Sequence, residues 1–199
     1  MTRRFGLTWD YRCPYARIAH DHVVTGLRAG ADWDVTFLPF SLGQSHVEHG
    51  QPDVWDEPRR DSGLFALQVG VAVRDSDPGR FLDVHDALFE LRHRRGGSLT
   101  SREQVGGVLS DAGADADAVF ATVDTGGPLA TIKREHTDHA RSHHVWGVPT
   151  FVVKDSAVFV RLLDTPEGDG ARAIATVERV LDQIDWPILN EFKHTSVPR

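Results

Sequence analysis

One cysteine stands in 199 residues: Cys13, inside Asp10-Tyr11-Arg12-Cys13-Pro14-Tyr15-Ala16. It follows an apolar run and precedes a proline suited to opening a helix, because the N–H that proline lacks has no partner in the first helical turn. A sulfur at that junction faces unpaired backbone N–H groups and the positive end of the helix dipole, both of which favour an anion. Such a position lowers a thiol's pKa, in known cases to roughly 3.5–7.5, and makes it a nucleophile. The competing reading is a small buried residue, the commonest fate of a free cysteine. Ala16 occupies the place three residues on, so no neighbouring thiol can close a disulfide.

Other residues around this point have chemistry of their own. Asp10 and Arg12 flank the thiol and tune it in opposite directions. Tyr15 and Trp146 serve either as a substrate wall or as packing, and Thr150, after Pro149, starts a strand and reads as structural. His20 is two turns beyond Cys13 on the same helix, too far for proton transfer over about 3 Å. Of eleven histidines, His136, His139 and His143 share one helical face. Their loose spacing matches no strong zinc signature, so that face is read as solvated and no metal is assigned.

The elements that must position Cys13 follow from periodicity. Residues 5–11 alternate as a strand; Ala16, Ala19, Val23 and Leu27 recur at helical spacing from Pro14 to about Ala29; 34–42 is rich in β-formers, with Pro39 marking an edge or an end. From about 55 to 142 the pattern turns helical. Segments begin near Leu64, Phe81, Ser101, Asp115 and Pro128, and Asp77-Pro78-Gly79, Gly96-Gly97 and Gly126-Gly127-Pro128 separate them. The run His93-Arg94-Arg95 before Gly96 reads as a basic helix end with a glycine cap. Strands return at 149–153 and 157–160 as a hairpin, and a last helix covers about 167–184. The order β-α-β, helical block, β-β-α predicts an α/β domain with a mixed sheet, built from residues 1–50 and 145–199 and interrupted by a helical insertion at 51–144.

Composition excludes several classes. The net charge of −7, with both signs interspersed, argues against a nucleic-acid partner. No stretch approaches the roughly 20 apolar residues of a membrane span, and the first residues carry arginines but no apolar leader core. With a single cysteine and no leader, a cytoplasmic location is expected.

Cys13-Pro14-Tyr15-Ala16, Phe37-Leu38-Pro39-Phe40-Ser41-Leu42, Trp146-Gly147-Val148-Pro149-Thr150-Phe151-Val152-Val153 and Ala157-Val158-Phe159-Val160-Arg161-Leu162-Leu163-Asp164 occur in that order. Together they resemble the thioredoxin superfamily, and within it the DsbA-like oxidoreductases, 2-hydroxychromene-2-carboxylate isomerases and kappa-class glutathione transferases. The ending from Trp186 to Arg199 is similar to DsbA-like proteins of actinobacteria. The resemblance implies a thioredoxin-like fold with a helical insertion and a cis Pro149 facing Cys13. It also implies a thiol or substrate site of Pro14, Tyr15, Trp146, Val148 and Pro149 around that cysteine. Ala16 departs from the two-cysteine motif of the oxidoreductases, and Cys13 departs from the serine of the isomerase and transferase branches. A resolving thiol must then come from outside: a low-molecular-weight thiol such as mycothiol or glutathione, as cosubstrate rather than tightly bound cofactor. The reading that follows is a monothiol oxidoreductase acting on a small disulfide. Its alternatives are a kappa-type transferase or isomerase, in which Cys13 positions a bound thiol, and a non-catalytic binding protein. A homodimer remains open.

Overall fold

A computed structural model describes residues 2–189 of the chain. Strand β1 (Arg3–Trp9), helix α1 (Pro14–Arg28) and strand β2 (Trp33–Pro39) form the opening β-α-β unit. The two strands pair in parallel along their full length, from Arg3 opposite Trp33 to Trp9 opposite Pro39. From Phe5 to Trp9 every residue of β1 is buried, as expected of a central strand covered on both faces. β1 ends two residues earlier than its alternation predicts. The reason is Asp10, whose carboxylate accepts the Arg12 N–H (2.9 Å) while its carbonyl accepts the Cys13 N–H (3.0 Å), turning the chain toward α1. Likewise β2 stops at Pro39, which has no N–H to donate, and Ser41 caps the short α2 (Leu42–Ser45).

After α2, five longer helices precede the next strand: α3 (Leu64–Ser76), α4 (Pro78–His93), α5 (Arg102–Asp111), α6 (Ala116–Asp124) and α7 (Gly127–Ser142). Ser101 and Asp115 cap α5 and α6 by accepting the Gln104 and Ala118 amides. The helical pattern expected from residue 55 is realised only from Leu64; before it lies a single 3-10 turn, Pro58–Arg60, in a stretch punctuated by Gly50, Pro52 and Gly63. α4 ends as a basic terminus, with Gly96 at φ 64° reversing the chain. Arg74 of α3 binds this helical layer to the sheet: it donates to the Phe37 carbonyl of β2 (2.9 Å) and bidentately to Glu135 of α7 (2.9 Å each).

The hairpin β3 (Thr150–Val153) and β4 (Ser156–Phe159) joins β1 on its other side, antiparallel, giving the order β2-β1-β3-β4. Helix α8 (Gly170–Ile184) packs on α1 and begins three residues later than predicted. Glu167 and Gly168 have left-handed backbone (φ 54° and 76°), which no helix accommodates, and Asp169 is the cap. The mixed sheet interrupted by helices is the thioredoxin-like arrangement expected from the element order. No helix among the described residues is long and apolar enough to cross a membrane. Residues 190–199 lie outside the described residues.

Candidate functional site around Cys13

Cys13 is the N-cap of α1 (φ −84°, ψ 118°), and its sulfur takes the place of the usual capping oxygen. Sγ accepts the Ala16 N–H at 3.4 Å and donates its own proton to the Val148 carbonyl at 3.3 Å. The residue is only 8% exposed. Burial raises the thiol's pKa above its ordinary value, and Asp10 pushes the same way; the Ala16 and Tyr15 amides and Arg161 pull it down but do not prevail. The lowered pKa expected from the helix N-terminus is therefore corrected. The helix supplies the stabilising N–H groups as anticipated, but the sulfur is too thoroughly removed from water for them to win. At neutral pH this site holds an S–H group.

The partner loop is fixed from two sides. The Val148–Pro149 bond is cis. The Gly147 carbonyl accepts the Thr8 and Thr150 hydroxyls (3.4 and 2.8 Å), and the Thr150 N–H donates back to Thr8 Oγ1 at 2.8 Å. Thr150 is structural, as read, because it clamps the loop to β1. The Val160 N–H donates to the Pro149 carbonyl (3.0 Å), tying the end of β4 to the same loop. With its carbonyl engaged by Cys13, Val148 has an N–H without a partner among the described residues.

The other predicted site residues are distributed around this contact. Pro14 is exposed at the start of α1, and Pro149 is buried beside Val148. Tyr15 is half-buried; its hydroxyl accepts from Arg161 Nη2 (3.0 Å), and the Arg161 guanidinium carbon lies 4.2 Å from the ring centre. Trp146 is 67% exposed and packs on Phe159 at 4.7 Å between ring centres, so it covers no core. Asp10 is fully buried and binds Arg12 (2.7 Å), whose other arm reaches Asp61 (3.1 Å); Asp10 also accepts the Leu42 amide (2.9 Å). This chain of charges fixes the loop before Cys13 to the start of the insertion. Arg161 and Asp61 were not anticipated, since nothing in local periodicity marks a residue 148 or 48 positions away as a neighbour of Cys13.

Beneath the site lies a buried polar chain that the sequence also conceals. Tyr11 Oη is 2.9 Å from His85 Nδ1, His85 Nε2 is 2.8 Å from His20 Nδ1, and His20 Nε2 is 3.1 Å from the Thr8 carbonyl. A carbonyl only accepts, so with neutral rings every proton is placed: His20 donates to Thr8, His85 to His20 and Tyr11 to His85. Neutrality follows from burial, which lowers the pKa of His20 to about 3 and that of His85 well below the ordinary value. His20 thus turns away from the thiol, and no histidine hydrogen-bonds to Cys13 among the described residues. The expected solvated face of α7 is corrected as well. His136 faces inward, stacked 4.1 Å from Phe40 and against Trp55, while the half-buried His139 and His143 pair with each other at 5.7 Å. The three do not converge, and among the described residues no group of three potential ligands does.

The fold agrees with the comparisons. A DSBA-like thioredoxin domain matches residues 8–177. The chain belongs to the DsbA-like thioredoxin domain family. No curated relative matches this DsbA-like chain, whereas solved structures match across most of it. A 2-hydroxychromene-2-carboxylate isomerase has 12% identity and a TM-score of 0.64 over 90% of this chain and 96% of its own. A probable DsbA oxidoreductase from Streptomyces coelicolor has 15% identity and a TM-score of 0.61 over 96% and 93%. A periplasmic thioredoxin-like protein from Salmonella enterica serovar Typhimurium has 18% identity and a TM-score of 0.59 over 90% and 82%. The cytoplasmic location expected from sequence does not stand. A periplasmic protein shares this fold, and the reasoning behind the expectation separates no compartments, because a lone cysteine cannot close an internal disulfide in any of them.

Proposed function

We propose that this DsbA-like domain binds a low-molecular-weight thiol, of the mycothiol or glutathione type, at Cys13 and uses it in transferase or isomerase chemistry. The observation that carries this reading is the direction of the Cys13 thiol: a buried S–H aimed at the Val148 carbonyl at 3.3 Å, in a setting whose burial favours the neutral form. A neutral S–H is a poor nucleophile but a competent hydrogen-bond donor. Toward an incoming thiolate, Cys13 would redirect that proton and the free Val148 N–H would be a second donor, so the bound sulfur becomes the nucleophile. Donors placed where negative charge resides lower the bound thiol's pKa and keep it reactive. Ala16 fits this role, since it leaves no second thiol to compete with the ligand's sulfur. The similarity to an isomerase over nearly its whole length supports the same reading.

The competing monothiol route has Cys13 attack a small disulfide, with an external thiol resolving the product; the Ala16 amide at Sγ favours it. Cys13→Ser and Cys13→Ala separate the two. Conjugation of glutathione or mycothiol to chlorodinitrobenzene is measured beside disulfide exchange with the same thiols. Positioning predicts that the serine variant keeps conjugation and thiol binding while the alanine variant loses both. Equal loss in both variants, together with a wild-type mixed disulfide seen by mass spectrometry, establishes the monothiol route instead. No binding of either thiol to wild type leaves a non-catalytic binding domain.

A further inference from the structure

The rim of the thiol site carries a cation with no counter-charge among the described residues. The Val160 N–H bond to Pro149 holds the chain beside the proline loop, and Arg161 is the next residue. Its guanidinium lies over the Tyr15 ring (4.2 Å) and donates to the Tyr15 hydroxyl (3.0 Å), and Tyr15 is two residues beyond Cys13 on the first turn of α1. Stacking and one hydrogen bond orient the planar fork while leaving it exposed, with Nε and Nη1 free of hydrogen bonds among the described residues. Other arginines on this side are spoken for: Arg12 by Asp10 and Asp61, and Arg17 by Glu90 at 3.2 Å. No carboxylate lies within ion-pair distance of Arg161 among the described residues.

We propose that Arg161 is a specificity residue that selects sulfur ligands carrying a negative charge near the sulfur. The inference rests on the thiol site of the proposed function and adds the class of ligand. An oriented, unpaired guanidinium matches a carboxylate bidentately and does so better than a flexible ammonium. Its charge also steers anions toward the site before contact. The ligand is thus a small thiol or disulfide bearing a carboxylate, as glutathione does; of the two thiols considered above this selects glutathione over mycothiol, whose cysteine carboxyl is tied up as an amide.

The test uses the single thiol as its own reporter. Wild type, Arg161→Gln, Arg161→Glu and Arg161→Lys are each reacted with an anionic disulfide (dithiobis-nitrobenzoate) and a neutral one (dithiodipyridine). In both reactions the Cys13 thiolate attacks one reagent sulfur and the reagent S–S bond breaks. A Cys13 mixed disulfide forms, one aryl thiolate leaves, and the cysteine proton passes to solvent. Any change in thiolate fraction alters both rates alike, so the anionic-to-neutral ratio isolates recognition of charge. The ratio falls about five- to tenfold in the glutamine variant, the low end of electrostatic steering for one exposed charge. It falls further in the glutamate variant and partly recovers in the lysine variant. In wild type it declines with added salt. An unchanged ratio overturns the proposal, as does a wild-type thiol that neither reagent reaches. A ratio that responds while Cys13→Ser fails to bind glutathione or mycothiol upholds the charge selection and removes only the cosubstrate reading.

Discussion

Acidification from about pH 7 to 5 tests the buried histidines directly. His20, His85 and His136 are 1%, 0% and 7% exposed, and burial lowers all three pKa values, to about 3 for His20 and about 4 for His136. In the unfolded chain each titrates near 6.5, so below that pH the unfolded state binds protons that the folded state refuses. Stability is therefore present above the unfolded pKa and is lost as pH falls toward the folded one. Each group costs about 1.4 kcal/mol per pH unit, about 2 kcal/mol by pH 5, and the three together about 6 kcal/mol. Folded domains are stable by about 5–15 kcal/mol, so this is a large share. His22, His93 and His139, also lowered by burial, add in the same direction, while Asp21, whose carboxyl is raised by burial and Asp86, opposes them. Urea titrations followed by tryptophan fluorescence and circular dichroism at constant ionic strength measure the loss. His136→Phe, which keeps a ring between Phe40 and Trp55, serves as internal control and reduces the loss by about 2 kcal/mol, one histidine's share. A total loss under about 2 kcal/mol over this interval, or a His136→Phe curve parallel to wild type, refutes the reasoning.

Three further outcomes are expected. The alkylation rate of Cys13 rises with pH through an inflection above the ordinary thiol value, the reverse of an activated cysteine; an inflection below 7 shows that the helix terminus outweighs burial. Asp10→Ala removes the buried partner of Arg12 and the acceptor of the Leu42 amide, costing about 3–5 kcal/mol by denaturant unfolding. Asp10→Ala/Arg12→Met recovers part of that loss, and no recovery disproves the pairing. Gly70→Ala stabilises by about 1 kcal/mol if helix propensity decides. A Cβ there would collide with Tyr11 Oη, so overpacking of about 1–3 kcal/mol is expected instead. A variant at least as stable as wild type contradicts the tight Tyr11 contact.

The sequence discloses what is local. Pro14 after Cys13 marks the start of α1, Ser101 and Asp115 mark caps, and Pro149 before an apolar run marks the loop facing the thiol. It conceals what depends on the interior. The low thiol pKa inferred from the helix terminus fails because depth of burial is a property of the whole fold. The pairing of His20 with His85, 65 residues apart, is likewise invisible: His85 lies on an amphipathic helix at a position that any apolar residue would fill. Arg161 follows a strand whose alternation says nothing about the ring of Tyr15. Thr8, on an apolar strand, bears no sign of the loop it clamps.

The one-way chain from Tyr11 to Thr8 also constrains how this sequence can drift. Replacing His85 alone leaves a Tyr11 hydroxyl with no acceptor and a His20 nitrogen with no donor, each a buried penalty of about 1–3 kcal/mol. Replacing His20 alone leaves His85 Nε2 and the Thr8 carbonyl unmet. Exchanging both rings for phenylalanine, with Tyr11 also phenylalanine, removes the polar groups together and leaves only the Thr8 carbonyl to satisfy. The three positions are thus epistatic: single steps cross a valley that the joint step avoids. Homologues should keep the trio or lose it as a block, whatever happens to the thiol above it.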